Sequence, residues 1–452
     1  MRAIESTRVV REGRVGPGRV VIDGETIKAV TLPDGDTDGL QVEDVGDAVV
    51  MPGIVDPHVH VNEPGRTEWE GFVTATRAAA AGGVTSFVDM PLNCIPVTTT
   101  AEALRIKLEA CASSLHVDVG FWGGVVPGNA DELAGLARGG ALGCKAFMVD
   151  SGIPEFEWSR RADLLQAMPH LRDAGLPLLA HAELDLGAVD VSGDDPRSYA
   201  SYLRSRPRAW EDAAIALLLE LCEETGCAVH VVHLSSADAL DTLRDAKHRG
   251  LPVTVETCAH YLCLRAEDVP DGETRFKCAP PIREDENRLR LWSALEEGLI
   301  DFVVTDHSPC TPHLKLPERG DFHAAWGGIA SLQLGLPSVW SQARARGATL
   351  PDLSCWLSTR GASFAGLGRR KGQLAPGFDA DIVVWDPDAA WTVRTDDLRF
   401  RHPVSPYVGE GLFGRVLQTI LRGTTIFSDG EPADSGPESA AHGRPLLGRD
   451  SA

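Results

Sequence analysis

The sequence predicts an α/β protein: a (β/α)8 TIM-like barrel with a small β-sandwich domain built from both chain ends. Three observations predict it. Short apolar runs alternate with amphipathic stretches through the middle of the 452 residues, the pattern of βα units around a parallel sheet. Eight such runs are present, the number that closes a barrel. Strand-like material at the N-terminus returns late in the chain, so the two ends are expected to pair.

The first fifty residues give short alternating strands at TRVV, GRVVID, ETIKAV and the run before MPG, separated by Gly and Asp turns. DADIVVWD, AWTV and VLQTILRG supply the late partners. The expected division is residues 1–50 plus 373–430 for the composite sandwich, 51–372 for the barrel and 431–452 for a C-terminal tail. The barrel runs are GIVDPHVH, TSFVDMP, VDVGFWGG, CKAFMV, PLLAHAE, AVHVVHLSS, PVTVETCAHY and DFVVTDHS. Between them WEGFVTATRAAAAGG, TAEALRIKLEACASSL, WEDAAIALLLELCEETG and SADALDTLRDAKHRG carry helical periodicity, several opening on Ser, Thr or Asp and closing on Gly. After Ser428 the chain turns to Gly, Pro, Ser and acid, a composition for a mobile or surface-draped segment, with GRPLLGR able to dock beyond it.

Composition excludes several classes of partner. The formal charge is −22, from 65 acidic against 43 basic residues, which disfavours nucleic acid or an anionic membrane, since both require clustered cations. Ten cysteines show no C-x-x-C pair and no dense framework, so reduced thiols in a cytoplasmic protein are expected. The N-terminus is charged from Arg2 and lacks the apolar core of a signal peptide. No run approaches the roughly 18 apolar residues of a membrane span.

The chemistry sits at the ends of the apolar runs. His58, His60, Lys145, His181, His233 and Asp306 each close or occupy one, and barrel enzymes place catalytic groups at the C-terminal ends of their strands. His58 and His60, two apart, face the same side of a strand. Taken alone, that pair fits either a polar strand end or a ligand pair. Imidazole and carboxylate suit zinc, with cobalt, manganese and iron open. A bound metal lowers the pKa of water from about 16 to about 7, and Asp306 can both bind an ion and handle the proton. Lys145 stands in an apolar run where a free ammonium is costly. Two states are open to it: an ammonium with compensated charge, or a carbamate formed with carbon dioxide that bridges two metals. His230, His260 and His307 are not expected to be ligands, and His116, His170, His248 and His442 are expected to be solvated.

PGIVDPHVH, TDHSP and GQLAPGFDADIVVWDP, spread over nearly the whole chain, together resemble the cyclic amidohydrolases of the amidohydrolase superfamily. That group contains allantoinases, dihydropyrimidinases (hydantoinases) and dihydroorotases. The resemblance implies two divalent metal ions flanking a hydroxide, with Lys145 carboxylated on its amine and bridging them. His58, His60, Lys145 and Asp306 would hold one ion, and Lys145, His181 and His233 the other. It also implies a homo-oligomer, tetramer or dimer, and a small cyclic ureide as substrate.

Within the group, EPGRTEWEG, DMPLNCIPVTTT, FKCAPPIR, AWGGIASLQLGLP and RHPVSPYVG are similar to the allantoinase branch. That branch implies ring opening of allantoin by water to allantoate, with Asp306 moving the proton. Dihydroorotases carry an arginine where this chain has Asn62, and dihydropyrimidinases a tyrosine in the loop where it reads Val149-Asp150-Ser151-Gly152-Ile153. The dihydropyrimidinase reading is the alternative, and an inactive relative with a binding role the second. Substrate contacts are expected from the backbone at Cys278, Ala279, Gly327 and Gly328, where glycine permits close approach; simple tight turns are the competing reading.

Overall fold

Strands rich in Val and Ile open the chain in a computed structural model, which describes residues 1–33, 39–187, 189–430 and 440–448. They are β1 (Arg2–Arg11), β2 (Arg14–Asp23), β3 (Thr26–Thr31), β4 (Gln41–Asp44) and β5 (Val49–Pro52). After Gly53 the chain enters the barrel through β6 (Ile54–Val59), β7 (Val84–Asp89), β8 (Asp118–Phe121), β9 (Gly123–Gly124), β10 (Cys144–Phe147), β11 (Leu178–His181), β12 (Val229–Val231), β13 (Val253–Cys258) and β14 (Phe302–Val304).

The barrel pairings are parallel throughout. β8 pairs with β7 and β9 with β10, so Trp122 hands one barrel strand from its first neighbour to its second. The ring closes between the first and last strands. His60 N donates to His307 O at 2.8 Å, and Thr305 N donates to Asp56 Oδ2 at 3.2 Å. All eight expected runs are therefore barrel strands.

Helices fill the expected intervals, among them Phe72–Ala81, Ala101–Cys111, Arg208–Thr225 and Leu240–His248. Thr100 caps the second by accepting from Ala103 N at 3.1 Å. The first begins at Phe72 rather than at Trp69, because Gly71 takes φ 96°, outside helical geometry. Glu70 is turned fully inward there. Its carboxylate accepts from Arg401 N at 3.1 Å and meets His307 Nε2 at 3.3 Å.

The late strands β15 (Ile382–Thr392), β16 (Gly411–Leu421) and β17 (Thr424–Ser428) return to the early ones. Val384 lies opposite Val50 in the antiparallel pairing of β15 with β5. One sheet of order β17-β16-β15-β5-β1-β2-β3, with β4 also on β1, thus holds both chain ends. It closes over a sandwich core including Ile4, Val20, Val50, Ile382 and Ile420.

A last short strand, β18 (Pro445–Leu446), lies parallel on β8. Residues 443–448 of the GRPLLGR segment dock as expected, with Leu446 in the same buried cluster as Val88, Trp122, Leu179 and Ala362. The acidic stretch expected to be mobile falls mainly on residues 431–439, outside the described residues.

Where barrel, sandwich and C-terminal strand meet, a buried charge cluster joins them. Lys371 Nζ donates to Asp118 Oδ2 at 2.9 Å and Asp381 Oδ2 at 2.6 Å, and lies 3.0 Å from Asp379. Arg422 pairs with Asp118 from the other side. All ten cysteines are free thiols. Among the described residues, no helix is long and apolar enough to cross a membrane. His116 corrects an expectation: it is buried, and burial pushes its imidazole down to about 4.

Candidate active site

Strand register assembles the site. On β10, Lys145 and Phe147 share a side, and Phe147 lies opposite His181 on β11, so their rings stack at 4.4 Å. β6 delivers His58, and His60 follows one residue beyond its end. His233 and Asp306 lie just past β12 and β14 with φ of 40° and 45°. Non-glycine residues pay strain in that left-handed region, and such outliers concentrate at functional sites.

The six residues singled out in the sequence meet at this end of the barrel, all nearly or fully buried. His58 Nε2 lies 3.2 Å from Asp306 Oδ1 and 3.2 Å from Lys145 Nζ. His60 Nε2 is 3.5 Å from the same Asp306 oxygen. The His233 ring centroid stands 4.6 Å from that of His181 and 5.4 Å from that of His58.

Burial drives the imidazoles of His58, His60 and His233 well below their usual range and lowers His181 too. It also lowers the Lys145 amine and raises the Asp306 carboxyl. Neutral imidazoles with free lone pairs are the form a metal takes.

A second layer of carboxylates orients the ring nitrogens, and the sequence reading missed it. Glu256 takes His58 Nδ1 and accepts from His233 N at 3.2 Å. Glu183 takes His181 Nε2 at 2.7 Å and is gripped by Arg206, which donates Nε to it at 3.1 Å. Burial alone would raise Glu183, but Arg206 and His181 outweigh it and hold the carboxyl at about 2. These contacts leave His58 Nε2 and His181 Nδ1 facing the interior. Glu183 follows His181 by two residues, just past the end of β11, and Glu256 is a charge inside an apolar run. Both were legible signals.

The donor set fits divalent ions. Ligand atoms of His58, His60 and Asp306 all lie within 4.8 Å of one another, and Cys258 and His260 approach Asp306 equally closely. His60 Nδ1 and His233 Nδ1 are buried with no hydrogen-bond partner. The donors that converge are His58 Nε2 and His60 Nε2 on Asp306 Oδ1, a set of imidazole and carboxylate atoms that suits a cation. His230 and His307 are held otherwise. His230 meets Thr254 Oγ1 at 2.8 Å and stacks on Phe302, while His307 Nδ1 accepts from Ser331 N at 3.0 Å.

Above this floor is a cavity of about 400 Å³ lined by His60, Lys145, His181, His233 and Asp306 below and by Cys278, Ala279, Gly327 and Gly328 on one wall. The four expected substrate contacts thus share one space with the candidate ligands. Gly328 is required there: its φ is 114°, and a Cβ would lie 2.2 Å from Ser308 O.

A parallel barrel with nitrogen and oxygen donors gathered at the C-terminal ends of its strands defines a metal-dependent hydrolase. The chain belongs to the amidohydrolase family, whose model matches residues 49–426. It is 47% identical to a "Probable allantoinase" of Oryza sativa subsp. japonica, over 99% of this chain and 90% of that protein. It is 49% identical to an "Allantoinase" of Streptomyces avermitilis, over 95% and 96%. Among solved structures it is similar to an L-hydantoinase (dihydropyrimidinase) from Arthrobacter aurescens, with a TM-score of 0.91 and 28% identity over 99% of both chains.

Proposed function

We propose that this protein hydrolyses a five-membered cyclic ureide, allantoin, to allantoate. The observation that carries the proposal is the convergence of His58, His60, Lys145, His181, His233 and Asp306 beneath a cavity walled by Cys278, Ala279, Gly327 and Gly328. The allantoinase names of relatives sharing 47% and 49% of their residues over nearly the full chain support the choice of substrate.

His58, His60, Lys145 and Asp306 would hold one divalent ion, and Lys145, His181 and His233 a second, with zinc the first choice from the mixed imidazole and carboxylate set. Such ions supply a nucleophile from water at neutral pH and polarise the scissile carbonyl. Lys145 has no carboxylate within ion-pair distance among the described residues; its close polar neighbour is His58 Nε2. A buried neutral amine can add to carbon dioxide, forming an N–C bond and releasing a proton to solvent, and the resulting carbamate would supply the anion that two cations require.

The rest of the reaction belongs to the chain. The backbone of Cys278 and Gly327 orients the planar ring, and the buried wall excludes bulk water. Asp306 accepts the proton of the attacking water and delivers it to the ring nitrogen as the amide C–N bond breaks. One C–O bond forms, leaving a carboxylate and a second ureido group. The cytoplasm as location and a homo-oligomeric state belong to the same reading.

Allantoin, hydantoin and dihydrouracil, assayed in parallel at equal concentration with metal-loaded protein, test it. Strong preference for allantoin, lost on chelation and restored by divalent metal, is expected. Preference for either other ring moves the protein to the hydantoinase branch. Lys145→Ala is expected to be metal-poor and inactive, with partial rescue by a short-chain carboxylic acid; full activity in that variant would remove the carbamate.

A further inference from the structure

Lys277, which lines the cavity, and Lys315, which bonds to the cavity-lining Trp326 and Gly328, are buried with no carboxylate in ion-pair contact among the described residues: Lys277 is 9% exposed and Lys315 is 5% exposed. Burying an ammonium without a counter-ion is costly. Burial pushes Lys277 down to about 7 and lowers Lys315 as well. Both are spent on one segment. Lys277 Nζ donates to His323 O at 3.0 Å and Ala325 O at 2.5 Å. Lys315 Nζ donates to Trp326 O at 3.0 Å and to Gly328 O. Four carbonyls in six residues are thereby held by two buried lysines.

The same segment is tied directly to the opposite turn. Gly328 N donates to Lys277 O at 2.9 Å, and Tyr202 fixes Cys278 O with its hydroxyl at 2.7 Å while its ring lies 5.2 Å from the Lys277 ammonium. Gly327, between the clamped carbonyls, lines the cavity and makes no backbone hydrogen bond among the described residues. The N–H and C=O of Gly327 thus belong to two peptide units whose other halves are held, Trp326 O by Lys315 and Gly328 N by Lys277 O.

We propose that Lys277 and Lys315 are positioning residues for substrate, clamping the 323–328 carbonyls so that the free N–H and C=O of Gly327 meet the ring amide of the cyclic ureide. This rests on the cyclic-ureide reading above. The two lysines touch neither reacting atoms nor metal. They act through the wall they hold, so their loss falls on substrate binding.

The test is steady-state kinetics of Lys277→Met and Lys315→Met with allantoin, alongside metal content and hydrogen exchange of the 323–328 amides without substrate. KM is expected to rise about tenfold in each, with kcat falling by less than about threefold, because a binding contact is misplaced while the chemistry is intact. Metal content should stay parental, and exchange of the Trp326 and Gly328 amides, which donate to Leu314 O and Lys277 O, should quicken. KM within about twofold of the parent, or a fall in kcat with KM unchanged, would overturn the proposal. If a Met variant fails to fold, the corresponding Leu variant, which likewise lacks a donor, decides by the same criteria. If the parent does not turn over allantoin, the allantoin reading fails by itself. Exchange rates, and KM for whichever ring is opened, then judge the clamp.

Discussion

Burial pushes the Glu256 carboxyl up to about 8, and the cations assigned to the site would hold it ionised; replacing Glu256 with Gln then removes a charge at the base of the site while preserving its shape. Glu256 is fully buried and holds two groups, His58 Nδ1 and His233 N. Both donors belong to residues assigned here to the ions, one to each. Hydrogen bonds to a charged acceptor contribute about 1.5–3 kcal/mol and neutral ones about 1. The difference is about 0.5–2 kcal/mol per bond, so losing the charge across two such bonds removes about 1–4 kcal/mol of orientation and ligand basicity. At about 1.4 kcal/mol per decade that is about 5- to 700-fold in metal affinity, which brackets the loss of about 10- to 100-fold expected when such outer partners are altered. Competition against a chromophoric chelator, with unfolding midpoints measured in parallel, reads the effect. A folded Glu256→Gln protein binding metal within about threefold of the parent would refute the claim that Glu256 sets the tautomer of His58.

Two further outcomes are expected. Asp306→Asn should lower kcat by about 10²- to 10⁴-fold, the usual worth of a positioned acid-base group, while retaining much of the metal; a smaller loss in single-turnover kinetics would move the proton to another group. Lys371→Met should cost about 3–5 kcal/mol of stability by leaving Asp118, Asp379 and Asp381 without a shared cation, with catalysis intact at low temperature because the cluster lies away from the site. The pH dependence of that cost has a defined sign. Burial alone would raise Asp118, but Lys371 and Arg422 outweigh it and hold its carboxyl below the usual range. Its contribution is present above the ordinary carboxylate pKa and lost as pH falls through the depressed one. Asp381, raised by burial, trims the effect. Urea midpoints at neutral and acid pH should show the gap between parent and variant narrowing in acid, and a gap that widens would contradict this sign.

The barrel and the six floor residues were legible in the sequence for a common reason. A parallel strand buried on both faces is a short apolar run, and a His, Lys or Asp at its end stands out against it. The pairing of the chain ends was legible because Val- and Ile-rich strands need partners. What joins the units was not. Asp118, Lys371 and Arg422 are far apart in sequence, and nothing in their neighbours marks a shared buried cluster. Lys315 sits in a polar loop and reads as solvated; only the folded wall shows its ammonium on backbone carbonyls. His116 misled for the converse reason, since the docked segment around His442 that helps to cover it follows a stretch whose composition predicts no packing.

The central claim is that six side chains at the strand ends form one site for two divalent ions joined by a modified Lys145. Anomalous diffraction at the metal edge from crystals of metal-loaded protein tests it most directly. The account predicts two peaks, one among His58, His60 and Asp306 and the other between His181 and His233, with continuous density from Lys145 to both. A single peak, peaks elsewhere, or an unmodified Lys145 beside two occupied positions would contradict it.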